Sequence, residues 1–179
     1  MTTVTGSAAQ EFEPIEPDDF AFDPTADLEE QCVCALLWAH PAAAKKVVEH
    51  LRPEDFHVPI HRELVEVVAT LVAEGLPHGT SMVMARLDRD GRLGGHAGDQ
   101  LRRAVVNATT AGADGGAVGH YARAVVSAAY RRSFHQAGLA IAEAAQTLPE
   151  EQLFEHMVDL GRRQRAATAR LAALLAAGL

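Results

Sequence analysis

Apolar residues recur every three or four positions through most of this chain. Nowhere do they alternate with polar residues over a strand-length run. A first helix is expected from Asp27, where Asp27-x-x-Glu30 reads as a capping box ahead of Leu28, Gln31, Ala35 and Leu36 at helical spacing. Pro41 can open a second helix reaching about His50. Leu51-Arg52-Pro53-Glu54-Asp55-Phe56 reads as a connector that plants Phe56 in the core. Pro59 opens a third helix, whose Ile60, Leu64, Val67, Val68, Leu71 and Val72 make one apolar stripe and which Gly75 stops. Ser81 is placed to cap a short helix through Leu87 that ends at Asp90-Gly91. Gly91, Gly94, Gly95 and Gly98 read as a turn region, and Leu101, Ala104, Val105 and Ala108 mark the next helix. Residues 109–116 read as a flexible loop.

Two long helices are expected after that, about 117–147 and 151–177, joined at Leu148-Pro149. At 1.5 Å per residue they span about 45 and 40 Å, and so tight a turn makes them antiparallel. The fold class is all-α: a disordered acidic tail (1–25), a helical head (26–112), and a long antiparallel helical hairpin (117–177). The hairpin outreaches its head, so part of its apolar surface needs a partner or lies wet. The expected seam uses Val125, Ala128, Ala129, Leu139, Ala142 and Ala145 against Leu153, Met157, Leu160, Leu171 and Leu174. Val126, Tyr130, Phe134 and Ile141, with Phe154 opposite, fall off that seam and form the candidate dimer or partner interface.

Charge alters the picture at one end only. Residues 1–44 hold nine acids and no Lys or Arg, while the remainder is nearly neutral, against a net charge of −8 for the whole. A general nucleic-acid binder needs a positive footprint, so strong direct nucleic-acid binding is not expected. The acidic tail also carries Phe12, Phe20 and Phe22, half of the six phenylalanines. Spaced aromatics in an acidic stretch suit a short linear binding motif, but a solubilising tail whose aromatics rest on its own domain is the commoner case. No run is long enough to cross a membrane, and the acidic N-terminus lacks a signal pattern. Cys32 and Cys34, two apart on a helix, point to different faces and suggest no disulfide. A cytoplasmic protein is expected.

Enzymatic motifs are missing. A P-loop needs a glycine-rich turn ending in Lys-Ser/Thr, yet Lys45 and Lys46 are the only lysines and lie in Ala-Ala-Ala-Lys-Lys-Val-Val. His57-x-x-x-His61 has the spacing of two ligands on one helical face, but zinc takes three or four protein ligands and Pro59 intervenes. No metal and no cofactor are expected, and His57 and His61 read as helix-start hydrogen bonders. Asp88 and Asp90 read as an exposed helix end rather than an acid/base pair. Arg131-Arg132 and Arg162-Arg163-x-Arg165 can read phosphate, or pair with Glu143, Glu150, Glu151 and Glu155; the second is the commoner case. No Gly-x-Ser-x-Gly nucleophile pattern occurs. No catalytic residue is assigned.

Several segments taken together resemble the N-terminal domain of DnaB-type replicative helicases. Asp27-Leu28-Glu29-Glu30-Gln31-Cys32-Val33-Cys34-Ala35-Leu36-Leu37 is similar to that family's opening helix. Val47-Val48, Leu51 to Phe56 and His61-Arg62-Glu63-Leu64 are similar to its most specific segment. Leu76-Pro77 to Leu87 and Gly94-Gly95 follow the same pattern, and His120 to Val126 with Tyr130-Arg131-Arg132 resembles the start of its hairpin. The chain departs from that pattern at Cys34 (usually Gly), His57 (commonly Tyr) and His78-Gly79 (usually Asp). The match runs over about 26–147, with the last helix agreeing in architecture only. It implies a collar-forming domain of paired hairpins that also contacts primase and helicase loaders. The sequence stops where that family's linker helix and ATPase motor would begin, so no motor residue can be carried over.

Two functions fit. One is a non-enzymatic replication accessory acting on a helicase collar or primase through a primosome-type contact. The other is a helical dimeric adaptor or regulator outside replication with a borrowed fold. Either way the purified protein is expected neither to bind nor to hydrolyse ATP. Equilibrium dialysis or calorimetry checks this: saturable binding in the micromolar range, in protein free of contaminating ATPase, refutes it.

Overall fold

A computed structural model describes residues 24–179. Among them are seven α-helices and no strand: α1 (Pro24–Trp38), α2 (Pro41–Val48), α3 (Pro59–Ala73), α4 (Thr80–Arg89), α5 (Gly95–Thr110), α6 (Val118–Thr147) and α7 (Glu150–Ala176). Short 3-10 turns fall at Pro53–Asp55 and Gly115–Ala117. The all-α architecture of head and hairpin is therefore as expected.

Several boundaries differ for identifiable reasons. α1 begins at Pro24, so Asp27 lies in its first turn, where it accepts a hydrogen bond from Gln31 Nε2 at 3.3 Å, instead of capping the helix from outside. Pro24 and Thr25, expected in the tail, are helical. α4 begins at Thr80 behind Gly79, one residue before the expected cap. α5 begins at Gly95, so Gly98 is a helical residue pressed on Leu93 rather than part of a turn. The segment after α5 packs as well: Gly115 lies so close to the end of α1 that an added Cβ would stand 2.4 Å from the Trp38 carbonyl oxygen.

Helix ends follow ordinary backbone chemistry. Gly75 takes φ of 71° after α3, letting its N–H reach Val72 O at 3.1 Å and Leu76 N–H reach Leu71 O at 2.9 Å. Gly91 closes α4 in the same way. His40 Nδ1 accepts the Ala42 N–H at 3.4 Å and caps α2 ahead of Pro41.

The head core gathers Val33 and Leu36 of α1, Leu64, Val68 and Leu71 of α3, Val83 and Leu87 of α4, and Val105 of α5 around Phe56, which is fully buried. The hairpin is rooted in this core. Ala122, Val125 and Val126 near the start of α6 are buried in it, and so is Leu174 near the end of α7. Beyond this root the two helices run free of the head and meet along Ser133, Ala137, Ala140 and Ala144 of α6 and Leu153, Leu160, Gln164 and Ala167 of α7. On α6 these positions alternate in steps of four and three, and on α7 they step by seven, four and three, the spacing of a coiled-coil seam. The expected seam was rotated from this one: Leu139, Ala142 and Ala145 are exposed. The smaller line of alanines won because it lets two helix axes approach closely. Two polar pairs fix the register. Ser133 Oγ donates to Gln164 Oε1 at 3.0 Å while Gln164 Nε2 donates to Ser133 O at 2.9 Å, and Tyr130 and Thr168 hydroxyls lie 3.1 Å apart.

Close backbone approach at two glycines gives a test of this packing. Ala normally favours a helix interior over Gly by about 1 kcal/mol. At Gly98, however, a Cβ would meet the Leu93 backbone at 2.2 Å. Overpacking of this kind costs about 1–3 kcal/mol, so Gly98→Ala and Gly115→Ala are each expected to destabilise. Urea unfolding followed by circular dichroism measures both; unchanged midpoints would show that neither position is crowded.

Candidate interaction site

The head grips the hairpin through two buried carboxylates. Glu29 sits on α1 in the apolar stripe with Val33 and Leu36, which carries it inside; it is 1% exposed. Its oxygens accept hydrogen bonds from the His57 and Val58 backbone N–H groups and lie 3.3 Å from His61 Nδ1. Arg132 of α6 approaches the same carboxylate at 3.7 Å and donates to the Asp55 carbonyl oxygen. Asp55, 2% exposed, closes its own turn by accepting the Arg52 N–H at 2.8 Å. Arg170 of α7 then grips that carboxylate with both guanidinium arms, donating to Oδ1 at 2.7 Å and to Oδ2, and also reaches the His50 carbonyl at 2.9 Å. Arg62 holds the same connector through the carbonyls of Phe56 and His57.

This geometry sets the electrostatics. Burial alone would raise the Glu29 pKa, but the hydrogen bond with His61, the two backbone N–H donors and the charge of His61 outweigh it and hold the carboxyl below its ordinary value. Burial drives the Cys32 thiol the other way, well above the usual range, assisted by the negative charges of Glu29 and Asp55. Cys32 and Cys34 are free and buried on different faces. Cys34 points its sulfur toward the carbonyls of Thr109 and Ala113 at 3.9 and 3.8 Å.

The residues singled out in the sequence are dispersed by this arrangement. His57 and His61 converge on Glu29, and among the described residues no group of three metal-ligating side chains forms. Arg132, expected to pair along the hairpin, instead serves the head, and Arg162 pairs with Asp159 at 2.9 Å. Asp90 is taken by Arg86, which also pairs with Glu74. No helix among the described residues is long and apolar enough to cross a membrane.

The candidate interface is partly redrawn. Val126, expected to lie wet, is 3% exposed because the hairpin root is sunk in the head core, so it offers nothing to a partner. Tyr130 is half-buried, its ring 4.8 Å edge-on from Phe134. Phe134, Ile141 and Phe154 are 47%, 43% and 70% exposed. Met157, assigned to the seam, is 47% exposed and lines a cleft of about 390 Å³ at the hairpin tip with Ile141 and Phe154. A second cleft, of about 580 Å³, lies along Tyr130, Arg131 and Phe134. The tail phenylalanines Phe12, Phe20 and Phe22 lie outside the described residues. Glu29, Asp55 and Arg170 escaped the reading of the sequence, although Glu29 could have been found: an acid in register with Val33 and Leu36 must be buried or break the stripe.

Comparison with known proteins gives a consistent result. The profile described as DnaB-like helicase N terminal domain matches residues 13–127. The chain is 28% identical over 145 residues to the replicative DNA helicase DnaB of Mycobacterium leprae (strain TN), covering 80% of this chain but 24% of that protein, so it spans about a quarter of that relative. Its fold is similar to the crystal structure of the N-terminal domain of DnaB helicase from Mycobacterium tuberculosis, with a TM-score of 0.62, 22% identity, and 83% and 95% of the two chains covered.

The clasp makes two measurable demands. Because the folded-state pKa of Glu29 is depressed, its stabilising contribution is present above the unfolded carboxylate pKa and is lost as pH falls through and below that value. Glu29→Gln is therefore expected to destabilise at neutral pH and to flatten the fall in stability between about pH 5 and 3; parallel stability-versus-pH curves for the two proteins would refute this. Arg170→Met strands the Asp55 carboxylate. Removing one partner of a buried pair costs about 3–5 kcal/mol, and about 2–3 kcal/mol is expected here because Arg170 keeps some contact with solvent. Denaturant unfolding measures it.

Proposed function

We propose, from the premise that this chain belongs to the DnaB-like helicase N terminal domain family, that it works in DNA replication by protein–protein contact and dimerises through the outer face of its hairpin. One observation carries the reading. Phe134, Ile141, Phe154 and Met157 crowd the free part of the hairpin, each more than two-fifths exposed. Phe134, Gly138, Ile141 and Ala145 recur at steps of four and three, which places them on one face of α6. Phe154, Met157 and Gly161 form the matching line on α7.

Two glycines support the same face. Gly138 and Gly161 stand inside long helices, where glycine costs about 1 kcal/mol relative to alanine, and nothing lies within 4 Å of where their Cβ atoms would be. Within the chain that cost goes unrecovered. A helix packed from outside recovers it, because the missing side chains let it come close. A stable dimer buries about 800 Å² per partner, which a hairpin of this length can supply, and a two-fold axis puts the same patch on both chains. The remaining partners are a replicative helicase, whose hairpins would pair with this one in a collar, and primase.

Phe134→Glu with Phe154→Glu should convert a dimer to a monomer in sedimentation velocity while leaving the helical signal intact. A wild type that is monomeric at tens of micromolar defeats dimerisation; a double mutant as dimeric as the wild type defeats this face. Direct binding to replicative helicase and to primase, measured by interferometry, tests the replication context. Binding to neither leaves the adaptor outside replication as the better reading.

A further inference from the structure

We propose that a cleft on the head, between the start of α2 and the link from α3 to α4, captures the C-terminal end of a partner polypeptide. An apolar last side chain lies on its floor, and the free α-carboxylate is held by His78, Lys45 and the start of α2. The local backbone builds the cleft. Gly75, at φ of 71°, turns the chain out of α3, and the Leu76 N–H closes that turn on Leu71 O at 2.9 Å. Leu76, Pro77 and His78 then line a cleft of about 390 Å³ with Val72 of α3 and with Pro41, Ala42 and Lys45 of α2. No residue of α6 or α7 lines it, so it is separate from the hairpin face proposed for dimerisation.

His78 is the first argument. It is 5% exposed, and neither ring nitrogen has a hydrogen-bond partner among the described residues. Its Nε2 is cut off from solvent as well. A buried polar atom left unpaired is costly, and native structures normally pair it. A carboxylate entering the cleft supplies the acceptor that an imidazole N–H lacks.

Charge complementarity is the second argument. Lys45 is exposed and makes no ion pair among the described residues. Glu49, one turn along α2, forms no ion pair with it, and Glu74, just after α3, is taken up by Arg86 at 2.9 Å. No carboxylate lines the cleft. Pro41 and Ala42 bring the positive end of the α2 dipole to the same place. The floor beside these groups is apolar, and Leu76 is 42% exposed on it. One short cleft thus asks for an acid and an apolar side chain on the same residue. The last residue of a polypeptide provides both; an internal Asp or Glu does not. Pro41, Ala42 and Lys45 are all exposed, which leaves the rest of that polypeptide a way out.

Titrating the isotope-enriched full chain with the hexapeptide Ser-Gly-Ser-Gly-Leu-Phe, its carboxylate free, tests the site by NMR. Shift changes are expected at Ala42, Lys45, Val72 and Leu76, with little at Phe134 and Phe154. Amidating the peptide's C-terminus should weaken binding at least about tenfold, the size of a hydrogen bond to a charged group. Lys45→Met and Leu76→Glu, at exposed positions where the fold tolerates change, should each weaken binding as well. No shift changes at millimolar peptide, equal binding of acid and amide, changes centred on the hairpin, or wild-type affinity in Leu76→Glu each overturn the proposal. So does 3-phenylpropionate binding as tightly as the peptide, which makes the cleft a site for small acids instead.

Discussion

The structure depends on bringing two carboxylates, Glu29 and Asp55, out of water and meeting them with arginines from both arms of the hairpin. Neither charge is tolerable alone in that setting. Glu29 is satisfied first by the backbone of the connector, whose His57 and Val58 N–H groups point at it, and by His61 at the start of α3. Asp55 is satisfied first by the turn it closes on Arg52. Each then takes part in holding a guanidinium group: Arg132 lies between Glu29 and the Asp55 carbonyl, and Arg170 is clamped on the Asp55 side chain. A buried ion pair adds little net stability over a well-packed apolar replacement, but it admits few alternative geometries. The clasp therefore fixes where the hairpin leaves the head rather than how strongly the head folds.

The rest follows from that fixed exit. With the root of α6 and the end of α7 sunk in the head core through Val125, Val126 and Leu174, the outer part of the hairpin has only itself to pack on. It does so along alanines, with Ser133 and Gln164 paired across the seam. Alanine seams bring helices close but bury little apolar area each. The large side chains of the hairpin are thereby left on its flanks, Phe134, Ile141 and Phe154 on one and Leu139 on the other.

Reading the sequence recovered the all-α class, most helices to within a few residues and the hairpin because these rest on periodicity and on Pro and Gly, whose effects are local. It misjudged the seam because residue size was taken as the guide to burial: Leu139 and Met157 were placed inside, while Ala137 and Ala144 occupy the contact. It missed the clasp for a different reason. Asp55 and Arg170 are distant in sequence, and an acidic residue in a connector reads as solvated until a partner is known. Glu29 was the exception, since its register with Val33 and Leu36 already required a buried partner. The departure at Cys34 also has a local reason: a small side chain fits there because α1 passes close to the end of α5, with Thr109 and Ala113 carbonyls near the sulfur.

A hairpin with a small-residue seam has two sides, and the clasp makes them unequal. On the clasp side, Glu54, Asp55 and His57 of the connector and Arg62 of α3 line one cleft with the hairpin, and Arg163 of α7 lines the groove beside it. On the far side no head residue lines either cleft, and the surface is aromatic, aliphatic and glycine-smooth. The far side carries the larger cluster of exposed apolar side chains on the hairpin, Phe134, Ile141, Phe154 and Met157. Since Arg132 and Arg170 hold the hairpin at its root, an occupant of one side need not disturb the other.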